Sequence, residues 1–220
     1  TADGNQVDSG ESAGLIPVDG QHWNNIGFNN GNLAGAAAQK NQAIKDDAGN
    51  ASAATFVSTL GSGYVGYSGA GGANDGDKNL MNSYLSFHQG TDTGNLEVTG
   101  IGSDITTPGY KVYVYFDTDN ANRTHTLSLT PAGGSAAVKI GDDSGTFSGT
   151  FATATGAGNY GNVAVFENLT ASAFTLVMQS SVGRAAVNGI QIVSNDHPQP
   201  PNIISFAAND YYITPGTSAT

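Results

Sequence analysis

The chain contains no cysteine. Disulfide bridges, thiolate metal sites and Cys nucleophiles are therefore excluded. Cations are scarce as well: seven Lys and Arg stand against eighteen Asp and Glu, a formal net charge of −11. Nucleic acids and anionic membranes are held through clustered Lys and Arg, so neither is an expected partner. Charged residues of both signs make up only 11% of the chain, and there is a single tryptophan, Trp23. No run approaches the roughly 20 consecutive apolar residues that a membrane span requires. A signal-peptide pattern is absent too, and the chain reads as a mature form or an excised piece.

What is present is the composition of a β protein. The 220 residues include 31 glycines. Short segments rich in Val, Thr, Tyr and Phe are separated by Gly, Asn, Asp and Pro turns, the habit of a sandwich rather than of a helical or α/β protein. Strands are expected at 54–60, 95–101, 110–117, 124–129, 137–140, 146–152, 162–167, 174–178 and 186–193. About nine strands suffice for two packed sheets, so the expected fold is an all-β, two-sheet antiparallel β-sandwich. The Ala-rich piece 33–44 predicts a short helical turn, 46–50 a turn, and 80–87 either a strand or a short helix. Residues 61–76 form a long glycine-rich loop, a type that is often functional. The sandwich is expected over 1–193. Residues 194–202 hold three prolines within four positions and read as a semi-rigid linker. Residues 203–220 resemble the truncated start of an immunoglobulin-like domain.

The most regular stretch runs from Tyr110 into an acidic, Asn-rich exit. Val112, Val114 and Phe116 alternate with Tyr113, Tyr115 and Asp117, so one face is expected in the core and the other free. Sugars stack their C–H faces on aromatic rings and offer hydroxyls to Asp, Asn and Arg. Trp23, Tyr64, Tyr67, Tyr113 and Tyr115 are the candidate stacking rings, and Asp117, Asn120 and Arg123 the candidate polar contacts, with Asp119 beside them. The competing readings are a core position for Trp23 and cross-strand packing for the two strand tyrosines.

Oxygen ligands recur at Asp75, Asp77 and Asn79, and again around Asp119. Such spacing reads either as the opening of a structural Ca2+ site or as Asx turns closed on nearby backbone. A complete EF-hand loop is excluded, because Leu80 stands where Gly is required. Arg184 is expected to pair with Asp75 or Asp77, and His125 to point outward from its strand. The four histidines lack a metal-ligand spacing, and the glutamates Glu11, Glu97 and Glu167 do not form an evident glycosidase pair.

Five segments taken in order resemble a domain that recurs in secreted bacterial polysaccharide-degrading proteins. They are SAGLIPVDGQHWNN (12–25), NDGDKNLMNSYL (74–85), GYKVYVYFDTD (109–119), VAVFENLTASAFTLVM (163–178) and RAAVNGIQIV (184–193). Such domains resemble jelly-roll, galactose-binding-like carbohydrate-binding modules. The resemblance covers most of 7–193, although the polar start TADGNQVDSG departs from the expected first strand. It implies a non-enzymatic module, secreted or at the bacterial cell surface, covalently linked to neighbouring domains and binding a polysaccharide or oligosaccharide. The alternatives are a calcium-stabilised structural or adhesive spacer and, behind it, a polysaccharide lyase or glycoside hydrolase.

Overall fold

Period-two alternation becomes period-two burial in this chain. The computed structural model describes residues 7–19, 22–24, 39–59, 62–64, 75–87 and 95–197. Strand β8 (Tyr110–Tyr115) buries Tyr110, Val112 and Val114 on one face, and Phe116 follows them inward. Each such fully buried aliphatic or aromatic side chain contributes about 1.5–3 kcal/mol relative to exposure.

The remaining elements, in chain order, are β1 (Ser12–Ala13), β2 (Val18–Asp19), β3 (Gln39–Lys45), β4 (Ala51–Thr59), β5 (Ser62–Tyr64), α1 (Gly76–Asn82), β6 (Tyr84–Phe87), β7 (Asn95–Thr99), α2 (Ser103–Thr106), β9 (Ala121–Pro131), β10 (Ala137–Ser144), β11 (Val163–Leu169), β12 (Phe174–Ser180), β13 (Ala185–Val187) and β14 (Gly189–Ser194). All sheets are antiparallel. Six strands pair in the order β10-β9-β12-β7-β4-β3. Opposite them stand β11-β8-β14 and β13-β6-β5, while β1 and β2 form a separate hairpin. Asn188 joins β13 to β14, and its N–H donates to the Tyr115 carbonyl at 2.8 Å, so one interrupted strand serves both three-stranded sheets.

The main core lies between these layers. Phe56, Leu96, Val98, Leu127, Leu129, Phe174, Leu176 and Met178 come from the six-stranded sheet. Leu85, Val112, Val114, Ala164, Phe166, Leu169, Ala185 and Val187 meet them from the other side. The all-β class expected from sequence is thus present, with a sandwich-like core. A second core covers the outer face of β8: Val7, Ala13, Leu80, Met81, Tyr115, Phe147 and Val163 are buried there together.

Three local expectations differ from what is found. Residues 39–44 belong to strand β3 rather than to a helical turn, because pairing with β4 overrides the local Ala propensity; residues 33–38 lie outside the described set. Residues 146–152 form no strand. Gly145 and Gly149, at φ of 87° and 93°, curl this segment so that Phe147 is buried in the second core and Phe151 packs against it. The ambiguous 80–87 divides in two, with α1 ending at Asn82 and β6 beginning at Tyr84. The turn at 46–50 is as expected: the Asp46 carboxylate accepts from the N–H groups of Ala48 (3.0 Å) and Asn50 (2.7 Å). Residues 203–220 lie outside the described set, as do 198–202 of the expected linker. Among the described residues no helix is long and apolar enough to cross a membrane.

Candidate functional site

β8 carries the predicted aromatic–acidic strip into closed surroundings. Tyr113 is half-buried against the second core, and Tyr115 lies wholly inside it. The Tyr115 ring stands 5.0 Å from that of Phe151. Its hydroxyl donates to Gln191 Oε1 and accepts from the Leu15 N–H at 2.8 Å. Burial pushes its pKa well up. The residue therefore offers no free ring face.

Asp117 is enclosed as well. It and Thr118 are fully buried where β8 leaves its sheet. Its N–H donates to Asn188 Oδ1 at 2.7 Å, and its Oδ1 accepts from the Thr118 N–H at 2.9 Å. Thr118 Oγ1 donates onward to Asp143 Oδ2, which also lies 3.0 Å from His125 Nε2. Asp143 Oδ1 accepts from the Arg123 N–H at 3.0 Å. This hub fastens the corner between β8, β9 and β10. Burial, and then the negative Asp143, raise the Asp117 pKa to about 8, so its carboxyl holds a proton at neutral pH.

His125 corrects an expectation. It is fully buried, not outward, and its ring centroid lies 5.2 Å from that of Phe116. The signal was available: His125 has the same parity in β9 as the buried Leu127 and Leu129. Asp143 was missed because nothing local in β10 marks it.

The rest of the strip is scattered. Asn120 and Asp119 are exposed, and Tyr84 donates to Asp119 Oδ1 at 3.4 Å. The Arg123 guanidinium reaches the Arg184 carbonyl at 3.4 Å. Tyr64 pairs with Tyr84 through its backbone, but its side chain, like the whole of Tyr67, lies outside the described residues.

The oxygen-rich segment at 75–79 follows the Asx-turn alternative. Asp75 is the N-cap of α1: its Oδ1 accepts from the Lys78 N–H at 3.1 Å, and its Oδ2 pairs with Lys78 Nζ at 2.9 Å. Asp77 Oδ1 accepts from the Gly14 N–H at 2.8 Å. Burial and the nearby Asp75 push its pKa up. The Asn79 amide donates to both oxygens of the buried Glu11 at 2.9 Å. Asp75, Asp77 and Asn79 are thus engaged with the protein on α1, while Asp119 stands elsewhere against Tyr84. The set does not fit one Ca2+ cage, and no group of three or more His, Asp or Glu among the described residues could hold a metal ion. The Asp75 and Asp77 contacts above are to Lys78 and Gly14, not to Arg184.

A cleft of about 720 Å³ opens on the other side of Trp23. Its apolar lining is the partly buried Ile44, Ile105, Ile190 and Ile192, which pack against the main core residues Phe56, Leu96, Val98 and Val187. Its outer lining is polar: His22, Asn24, Lys45, Asp46, Asp47, Asp104 and His197. Trp23 is half-buried between the two and packs against the second core. Its indole N–H donates to the Val18 carbonyl at 3.2 Å. Asn24 anchors the next position, donating to the Lys45 carbonyl at 3.0 Å and accepting from the Lys45 N–H at 2.8 Å. These bonds tie the tryptophan segment to the β3–β4 turn. Gly189 opens space on the far side. A Cβ there would stand 2.7 Å from Leu80 Cδ1 and 3.6 Å from the Trp23 ring. At the same β3–β4 turn, His197 Nδ1 lies 3.9 Å from Asp47 Oδ2.

Of the predicted residues whose side chains are described, only Trp23 and Asn79 line this cleft. His22, Asp47, Asp104 and His197 were not selected from sequence, since four distant segments bring them together. No protein-family model matches the chain, and comparison with curated proteins and with solved structures returns no match.

Proposed function

We propose that the chain is a non-catalytic carbohydrate-binding module, of jelly-roll, galactose-binding-like type, that directs a secreted bacterial enzyme or surface protein to polysaccharide. The observation that carries this reading is the Trp23 cleft, with its apolar lining, aromatic wall and rim of carboxylate, amide and imidazole groups. Its volume lies in the range of small-ligand sites, and few polar groups around an apolar body suit a sugar ring. The candidate site thereby moves from the exit of β8 to the lip of β3, β14 and the Trp23 segment. Support for a non-catalytic role comes from Asp117. Burial and Asp143 raise its carboxyl pKa to about 8, yet it is sealed from solvent, where a general acid has no access to a glycosidic oxygen.

The test is affinity electrophoresis and pull-down against soluble and insoluble polysaccharides, with Trp23→Ala and Asp47→Ala beside the parent chain. Retention on at least one polymer, lost in Trp23→Ala while circular dichroism shows the variant still folded, is the expected result. Absence of retention across a broad panel removes the reading. Release of reducing or unsaturated sugars from any polymer would replace it with an enzyme.

A further inference from the structure

We infer that the cleft selects uncharged polysaccharides and rejects polymers of uronic or sulfated sugars. This rests on the carbohydrate-binding reading and adds the charge class of the ligand. Carboxylates and sulfates on a sugar are held by Arg forks or by converging Lys. Lys45 is the sole lysine or arginine lining the cleft among the described residues, whereas Asp46, Asp47 and Asp104 all line it.

The other cations are committed or distant. Lys78 pairs with Asp75 and Lys111 with Glu167. Arg123 reaches the Arg184 carbonyl, which places both arginines at the start of β9 and β13. Lys139 stands on β10, at the opposite edge of the six-stranded sheet from β3. The Lys40 backbone stands opposite Ser58 in the β3–β4 ladder, five positions from Lys45, and its side chain lies outside the described residues. Residues 1–6, 20–21, 25–38, 60–61, 65–74, 88–94 and 198–220 contain neither Lys nor Arg. Those segments can therefore add no Lys or Arg to the site.

The Asp46 carboxyl is locked as an anion. The Asn50 backbone N–H, its side-chain amide and the Ala48 N–H hold its pKa below the ordinary carboxylate value, with His22 adding to the effect. Asp47 makes the complementary contribution, since an exposed carboxylate accepts from sugar hydroxyls and repels a uronate.

The experiment compares retention of the full chain at pH 8, above the ordinary imidazole range. The polymers are a neutral β-glucan, a galactomannan and an arabinoxylan against polygalacturonate, alginate and a sulfated galactan. Runs at low and at 0.5 M salt separate screening from fit. The expected result is retention by a neutral polymer, with polyanions held on the order of tenfold more weakly at low salt and the gap narrowing as salt screens it. Asp47→Lys with Asp104→Lys, checked for an unchanged melting temperature, is expected to gain polygalacturonate retention at low salt. Equal or stronger retention of the parent chain by a polyanion overturns this inference while leaving carbohydrate binding intact. Retention by no polymer removes the carbohydrate reading itself, and this inference with it.

Discussion

Replacing Asp117 by Asn isolates the energetics of the buried hub. The carboxyl pKa rises from 3.8 to about 8 in the folded chain, through burial and the neighbouring Asp143. Between those values the folded state holds a proton that the unfolded state has released. Stability must then fall as pH rises, by about 1.4 kcal/mol per pH unit from this group alone. From pH 5 to pH 7.5 the loss is about 3 kcal/mol; it ends near pH 8, where both states are ionised, and it is absent below the ordinary Asp value. Asparagine keeps an oxygen for the Thr118 N–H and carries no charge toward Asp143. Urea unfolding of parent and Asp117→Asn at half-unit steps from pH 5 to pH 8.5 reads the difference directly. The variant is expected to gain on the parent steadily with pH. At about 2–4 °C per kcal/mol, the melting temperatures should separate by about 6–12 °C across that range. Parallel stability curves would refute the reasoning, since they would mean that Asp117 is already solvated or ionised in the native state.

Other consequences follow from the same geometry. Truncation at His125→Ala strands the buried Asp143 without its imidazole partner and is expected to cost about 3 kcal/mol, read by urea unfolding at pH 7. Gly189→Ala places a methyl group 2.7 Å from Leu80 Cδ1 and should cost about 1–3 kcal/mol, with a shift in Trp23 emission as the cleft wall moves. Asn24→Ala removes two exposed hydrogen bonds to Lys45, so its stability cost should stay near 1 kcal/mol while glycan retention falls more steeply.

The sequence made the strands legible where one face meets the core. β7, β8 and β12 alternate as written, because local periodicity and tertiary burial agree along them. Tyr115 escaped because its hydroxyl is held by the Leu15 N–H, 100 positions away in the chain, and its ring packs against Phe151, and no local pattern announces a second core. His125 was legible by parity, but its polarity outweighed its register. A carboxylate from another strand, Asp143, is what makes a buried imidazole tolerable there. The cleft was the least legible part. It needs the β3–β4 turn, the Trp23 segment, α2 and β14 at once, and only the tryptophan drew attention by its rarity. Oxygen spacing at 75–79 carried two meanings, and helix capping won because Asp75 closes on Lys78 within three residues.

Trp23 is the single tryptophan in the chain and lines the proposed site, so all tryptophan emission comes from that ring. The decisive measurement is a titration of that emission with oligosaccharides from whichever polymer retains the protein, alongside calorimetry on the same samples. A saturable change in Trp23 emission, with the midpoint seen by calorimetry, is the predicted result. Binding heat with no change in Trp23 emission would contradict the account and place sugar recognition elsewhere on the molecule.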